Sequence, residues 1–202
     1  GIGVGTALLP TMSRLIGADD VPGAISQQNR AMELVLILTL PAAAGLVVAA
    51  QPIVALLFQH GEFTAADSLA TAAALSGFAL GLPAYVLIKV LTPGFHARSD
   101  TTTPVRVAIA AMLVNLVANL VLVWPLGHVG IALGTAISAW VNALALWWLL
   151  RKRGHFQISA HVASRIFRQL IAAAAMGATL YAVNVFLGPM FNGGTIERMI
   201  AL

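Results

Sequence analysis

Cysteine is absent from this chain and charge is scarce: 9% of its 202 residues are Asp, Glu, Lys or Arg. The first absence excludes disulfides, thiol nucleophiles and cysteine-ligated metal centres. The second excludes an ordinary soluble domain, in which about a quarter of residues are charged. With 59% of residues hydrophobic and a mean hydropathy of +0.91, too few polar side chains remain to cover a water-facing surface. Most of the exterior is therefore expected to face lipid. No basic leader precedes the first apolar stretch, so 1–9 does not read as a signal peptide. That stretch is apolar from its first residue and 196–202 opens another run, so the chain is read as a piece of a longer polytopic protein.

What is present is hydrophobic length. Five full runs occupy 31–58, 64–91, 104–125, 129–150 and 166–187, with partial runs at 1–16 and 196–202. About 20 apolar residues cross a ~30 Å hydrocarbon core, and each full run reaches that length. The first two full runs exceed it, which implies tilt or kinking. Pro41, Pro52, Pro83 and Pro93 supply the kinks. Barrel strands would be alternating segments of about ten residues, which these continuous runs are not. The expected fold is all-α: a polytopic transmembrane helical bundle forming one membrane domain.

The basic residues orient it. If successive runs alternate in direction, one set of loops and helix ends holds Arg14, Arg30, Lys89, Arg98, Arg106, Arg151, Lys152, Arg153, Arg165 and Arg168. The opposite set holds only Arg198. By the positive-inside rule, loops 17–30, 94–103 and 151–165 are expected in the cytoplasm. Those at 59–63, 126–128 and 188–197 are expected outside. Basic residues that border helix ends form no single patch, which argues against a nucleic-acid partner despite the net charge of +4.

Polar groups at membrane depth carry more information, because lipid penalises them. Asn115 and Asn119 lie four residues apart and so share a helix face. Thr135, Ser138 and Asn142 lie in the following run, which returns antiparallel. Converging oxygens from two helices suit a small hard cation such as Na⁺, but Asn, Ser and Thr also hydrogen-bond routinely between packed helices. The residues leave both readings open. Gly77 with Gly81, and Gly130 with Gly134 and Ser138, form small-residue stripes that predict close helix packing. Lys89 lies near a cytoplasmic helix end, suited to snorkelling or to contact with an anionic substrate.

Other signals are weaker. Gly1-Ile2-Gly3-Val4-Gly5 has no preceding strand and is not a dinucleotide loop. His60 and Glu62 lack metal-site spacing, and His155 and His161 read as solvated. No catalytic triad or carboxylate pair lies at membrane depth, so the chain is not expected to be an enzyme. Trp140, Trp147 and Trp148 ahead of Arg151 read as an interfacial anchor.

Three segments carry a resemblance. Val4-Gly5-Thr6-Ala7-Leu8-Leu9-Pro10, Leu56-Leu57-Phe58-Gln59-His60-Gly61-Glu62-Phe63-Thr64 and Lys89-Val90-Leu91-Thr92-Pro93-Gly94-Phe95-His96-Ala97-Arg98-Ser99-Asp100 are similar to segments of the MurJ (MviN) family of lipid II flippases. The last continues through Thr103-Pro104-Val105-Arg106, and the likeness covers nearly the whole chain. The resemblance implies the multidrug/oligosaccharidyl-lipid/polysaccharide exporter (MOP) superfamily, with fourteen helices in two lobes. This chain would be the second lobe, from about the eighth helix to the start of the fourteenth.

The resemblance further implies a transporter of the bacterial inner membrane that carries lipid II from the cytoplasmic to the periplasmic leaflet by alternating access. Its partners would be lipid II, membrane lipids and the N-terminal lobe, which holds most of the family's cavity arginines. Arg98, with Lys89, becomes a candidate contact for the substrate pyrophosphate. No cofactor is implied beyond Na⁺ as a coupling ion, at positions matching Asn115, Asn119, Thr135 and the carbonyl of Ile131. Asn119 stands where some relatives have a carboxylate. The last two helices of the family border a lipid-tail groove, which makes 166–187 tail-facing. A multidrug or oligosaccharide-lipid exporter of the same superfamily and a non-transporting membrane scaffold are the alternatives. The loop motifs disfavour the exporter, and in the scaffold the buried amides would serve packing alone.

Overall fold

The computed structural model describes residues 2–58 and 62–192, with 2–7 and 187–192 described as backbone. Six helices follow one another: α1 (Ile2–Gly17), α2 (Val21–Phe58), α3 (Ala65–His96), α4 (Thr102–Leu126), α5 (His128–Lys152) and α6 (Ala160–Asn192). Among the described residues there is no strand. The 25 residues of α4 or α5 extend about 37 Å at 1.5 Å per residue, enough to cross a bilayer core. Five helices, α2 to α6, are long and apolar enough to do so.

The helices run longer than the apolar stretches because polar turns continue them. The expected loop 17–30 shrinks to three residues, since Val21–Arg30 forms the first turns of α2. The Asp20 carboxylate accepts from the Gly23 N–H at 2.9 Å, and Pro22 lacks a donor that would need a partner there. Loop 94–103 contracts to 97–101, loop 151–165 to 153–159, and 126–128 to Gly127. Gly127 has φ 55° and ψ −134°, a backbone conformation that a side chain would strain. At the opposite end Thr64 and Asp67 close a capping box on α3. The apolar run 196–202 and much of the turn 59–63 lie outside the described residues.

The packing order is α4–α5–α3–α2–α6, with α1 set against α2 and α3. The α3–α5 seam is close: a Cβ on Gly77 would stand 3.0 Å from the Ala132 Cβ, and one on Gly81 3.0 Å from the Ala136 Cα. Gly130 and Gly134 instead bring α5 onto Leu122 and Asn119 of α4. Both small-residue stripes therefore mark helix contacts. Trp140 belongs to this seam, donating to the Leu80 carbonyl at 3.0 Å, and is no interfacial anchor. Trp147 and Trp148 do lie at the basic end, beneath Arg151 and Lys152.

The main apolar core lies toward that end, around Met12, Val90, Leu91, Phe95, Leu150 and Phe156. Gln28 is buried beside it, donating to the carbonyls of Val90 (3.1 Å) and Leu91 (3.4 Å). Pro93 removes a donor from this turn of α3, and the bare Cα of Gly94 leaves room for the Gln28 amide. The glutamine hidden in a polar segment is thus part of the α2–α3 joint.

Candidate functional site

The intramembrane polar residues meet between α4 and α5. A turn of one residue sets the register of this hairpin and brings Asn115 level with Ser138 and Asn119 level with Gly134. The Asn115 amide donates to Thr135 Oγ1 (3.3 Å) and Ser138 Oγ (3.2 Å), and Asn119 donates to Asn115 Oδ1 at 3.0 Å. Thr135 donates to the Ile131 carbonyl at 2.8 Å, and Ser138 to the Thr135 carbonyl at 2.9 Å. Asn115, Asn119, Ile131 and Thr135 are therefore brought together as one seam. Asn142 has no place in these bonds, and its Oδ1 is buried without a partner.

Whether this seam suits sodium depends on its free oxygens. The Asn115 NH₂ group occupies the space between the two hydroxyls, and the Ile131 carbonyl is taken by Thr135. Among the bonded residues of the seam, Asn119 Oδ1 is the oxygen left buried and unbonded, and Asn142 Oδ1 is a second further along α5. Neither α4 nor α5 contains Asp or Glu, so nothing on this hairpin offsets the cost of desolvating a cation. These residues do not fit a sodium site by themselves. Their geometry is that of hydrogen bonds between packed helices.

The basic end contains a second cluster. Arg98 and Asp100 do not pair. Arg98 is half-buried and donates through Nη1 to the Gly94 carbonyl at 2.8 Å, closing the end of α3. Nη2 is buried without a partner, and burial lowers the guanidinium's pKa. Asp100 accepts from the Thr103 N–H at 3.0 Å and pairs with Arg153, which also reaches Thr103 Oγ1 at 3.0 Å. The Thr103 bonds, then Arg153, hold the Asp100 carboxyl far below the usual range. His155 is half-buried, not solvated. Burial first, then the charges of Arg98 and Arg153, lower its pKa. Lys89 is exposed on α3, apart from the Asp100–Arg153 pair.

The third feature, a cleft between α2 and α6, was not read from the sequence. Asn29 donates to the Gln157 carbonyl at 2.8 Å, Arg165 pairs with Glu33 at 3.2 Å, and Gln169 donates to the Glu33 carbonyl at 3.5 Å. A cavity of about 990 Å³ lies over Asn29, Glu33 and Arg165, and one of about 540 Å³ continues past Glu33 to Ile37, Pro41 and Ala172. The available signal was Glu33, the one acidic residue in the run 31–58.

Long apolar helices joined by short polar turns, with amide and hydroxyl groups paired at mid-depth, define a multi-pass α-helical membrane protein. The sequence profile described as "Lipid II flippase MurJ" matches residues 1–200. The chain belongs to this family. It is 44% identical over 198 residues to a probable lipid II flippase MurJ of Rhizobium meliloti (strain 1021), covering 98% of this chain and 37% of that protein. Against a probable lipid II flippase MurJ of Vibrio cholerae the identity is 34%, covering 100% of this chain and 38% of that protein. The chain thus spans little more than a third of the length of these relatives. A solved structure of lipid II flippase MurJ in an inward closed conformation shares the fold, with a TM-score of 0.66 at 24% identity. The match covers 94% of this chain and 43% of that one.

Proposed function

We propose that this chain is the second-lobe portion of a lipid II flippase of the bacterial inner membrane, carrying the precursor from the cytoplasmic to the periplasmic leaflet by alternating access. The observation that carries the reading is the family match over residues 1–200. In this reading the basic end faces the cytoplasm, as the ten basic residues there favour. The lobe moves as one body because the α3–α5 seam leaves no slack and Gln28 fastens α2 to α3. Lys89, with its ammonium exposed, is a contact for the substrate pyrophosphate. Arg98 is a second contact through Nη2, on releasing the Gly94 carbonyl. The Asn115–Asn119–Thr135 seam is helix glue, and no step is assigned to sodium.

The full-length protein should restore growth to a bacterium depleted of its own lipid II flippase. Absence of rescue at normal membrane abundance would refute the reading. Lys89→Gln and Arg98→Gln should each slow flipping without lowering abundance.

A further inference from the structure

The cleft between α2 and α6 has features that the transport reading does not use. Its two cavities share Glu33, Leu34 and Arg165, so they form one groove along the seam. The half nearer the basic end mixes apolar walls with polar groups from Asn29, Arg30, His161 and Arg165. The deeper half is apolar, with Leu34, Ile37, Pro41 and Ala172 on its walls and Arg168 at its side. Leu34 and Ile37 are each more than half exposed, as side chains open to hydrocarbon on a membrane helix are.

Charge and hydrogen bonding narrow the occupant. Three guanidiniums, from Arg30, Arg165 and Arg168, meet one carboxylate, and Glu33 pairs only with Arg165 among the described residues. The groove therefore has an excess of positive charge toward the basic end of the bundle, which attracts an anionic lipid where that end meets the membrane surface. Three lining residues also hold buried acceptors without a donor: Asn29 Oδ1, Glu33 Oε1 and Gln169 Oε1. A ligand matching both must carry a negative charge and hydroxyl donors on one head, with a hydrocarbon chain behind it.

We propose that this groove binds one anionic glycerophospholipid with a hydroxyl-bearing headgroup, of the phosphatidylglycerol type. Its phosphodiester lies among Arg30, Arg165 and Arg168, its hydroxyls donate to the orphaned acceptors, and an acyl chain follows Leu34, Ile37 and Pro41. Phosphatidylcholine offers neither net charge nor donors. A cavity of about 990 Å³ matches a ligand of drug-like size, not a glycopeptide head, so the occupant is a bulk lipid and not the transported precursor. The proposal requires only that the chain spans a membrane, and its failure would leave the flippase reading standing.

The test is native mass spectrometry of the full-length protein, delipidated and given phosphatidylglycerol or phosphatidylcholine of identical acyl chains. Wild type should retain a single phosphatidylglycerol at least tenfold better than phosphatidylcholine, with retention falling as salt rises. Arg30→Gln with Arg168→Gln should remove that preference. Leu34→Trp, which leaves every arginine in place, should reduce retention by blocking the chain-binding half, and covers the case in which the double variant fails to fold. Three results would each overturn the proposal: equal retention of the two lipids by wild type, wild-type retention of phosphatidylglycerol by both variants, or one-for-one displacement of phosphatidylglycerol by the lipid-linked precursor.

Discussion

The α3–α5 seam permits a prediction in which two glycines, one turn apart, respond differently to the same rescue. Replacing Gly77 by Ala puts a methyl 3.0 Å from the Ala132 Cβ, while the next atom, the Leu133 nitrogen, is at an ordinary 3.5 Å. Replacing Gly81 puts one 3.0 Å from the Ala136 Cα and 3.1 Å from its Cβ. Neither obstacle can rotate away, so each substitution forces the helices apart. Overpacking of this kind costs about 1–3 kcal/mol, which outweighs the gain of up to ~1 kcal/mol in helix propensity.

The rescue separates a side-chain obstacle from a backbone one. In Gly77→Ala with Ala132→Gly the methyl is moved across the interface, the propensity terms of ~1 kcal/mol cancel, and the clash disappears. Stability should return to within about 0.5 kcal/mol of wild type. In Gly81→Ala with Ala136→Gly the propensities cancel too, but the Cα remains in the way, so most of the loss should persist. Gly177→Ala is the control, since its nearest neighbour is 3.7 Å away, and it should be neutral or slightly stabilising. Thermal unfolding of the full-length protein in detergent measures all five variants. Equal rescue at both positions, or wild-type stability of Gly77→Ala, would refute the seam.

Asp100→Asn should lower stability by about 0–1 kcal/mol at neutral pH, because the Asp100–Arg153 pair is partly exposed. The folded-state pKa of Asp100 is depressed, so its contribution is complete above the unfolded value of ~3.9 and fades as pH falls below it. Acid unfolding curves should show that component in wild type and not in the variant. Asn115→Ala removes two interhelical bonds and should cost about 0.6–2 kcal/mol. Replacing sodium by potassium should leave flipping in proteoliposomes unchanged, whereas a loss of flipping would restore a cation to the seam. Single cysteines at Ser99 and Ala160 should resist an impermeant thiol reagent in intact cells, while one at Asn192 should label. These 202 residues contribute no cysteine of their own, so with any cysteine elsewhere in the protein replaced, labelling at Ala160 would reverse the topology.

The spans, their order and the helix-packing stripes were legible because each is a statement about hydrophobic length or residue size, and lipid enforces both. That Asn119 and Thr135 lie near one depth was legible for a related reason: a very short turn makes the two helices a hairpin, and counting back from it fixes depth, although the bond to Thr135 comes from Asn115, one turn deeper. Partner choice was not legible in the same way. Arg98 and Asp100 are neighbours in sequence, yet the chain turns through a positive φ at Ser99, sending Asp100 to Arg153 and Arg98 back to its own helix. Sequence proximity says little about which ionic groups meet when a turn lies between them.

The segment 21–30 misled for a deeper reason. Hydropathy measures the cost of placing a side chain in lipid, and Gln28 and Asn29 pay none of it because they never face lipid. Gln28 is 0% exposed and its amide meets carbonyls at the proline-disrupted end of α3, while Asn29 holds the Gln157 carbonyl. A polar residue inside a bundle is stabilised by the backbone groups it satisfies, so a glutamine opposite a Pro-Gly pair counts as buried structure. Asp20, Val21 and Pro22 already had the grammar of a helix start. Applied before hydropathy, that grammar would have placed α2 correctly and put Asn29, Arg30 and Glu33 together on its first turns. With α6 parallel to α2, Arg165 and Arg168 then fall beside them. The groove is therefore encoded by a capping signal and two arginine positions that a search for apolar runs passes over.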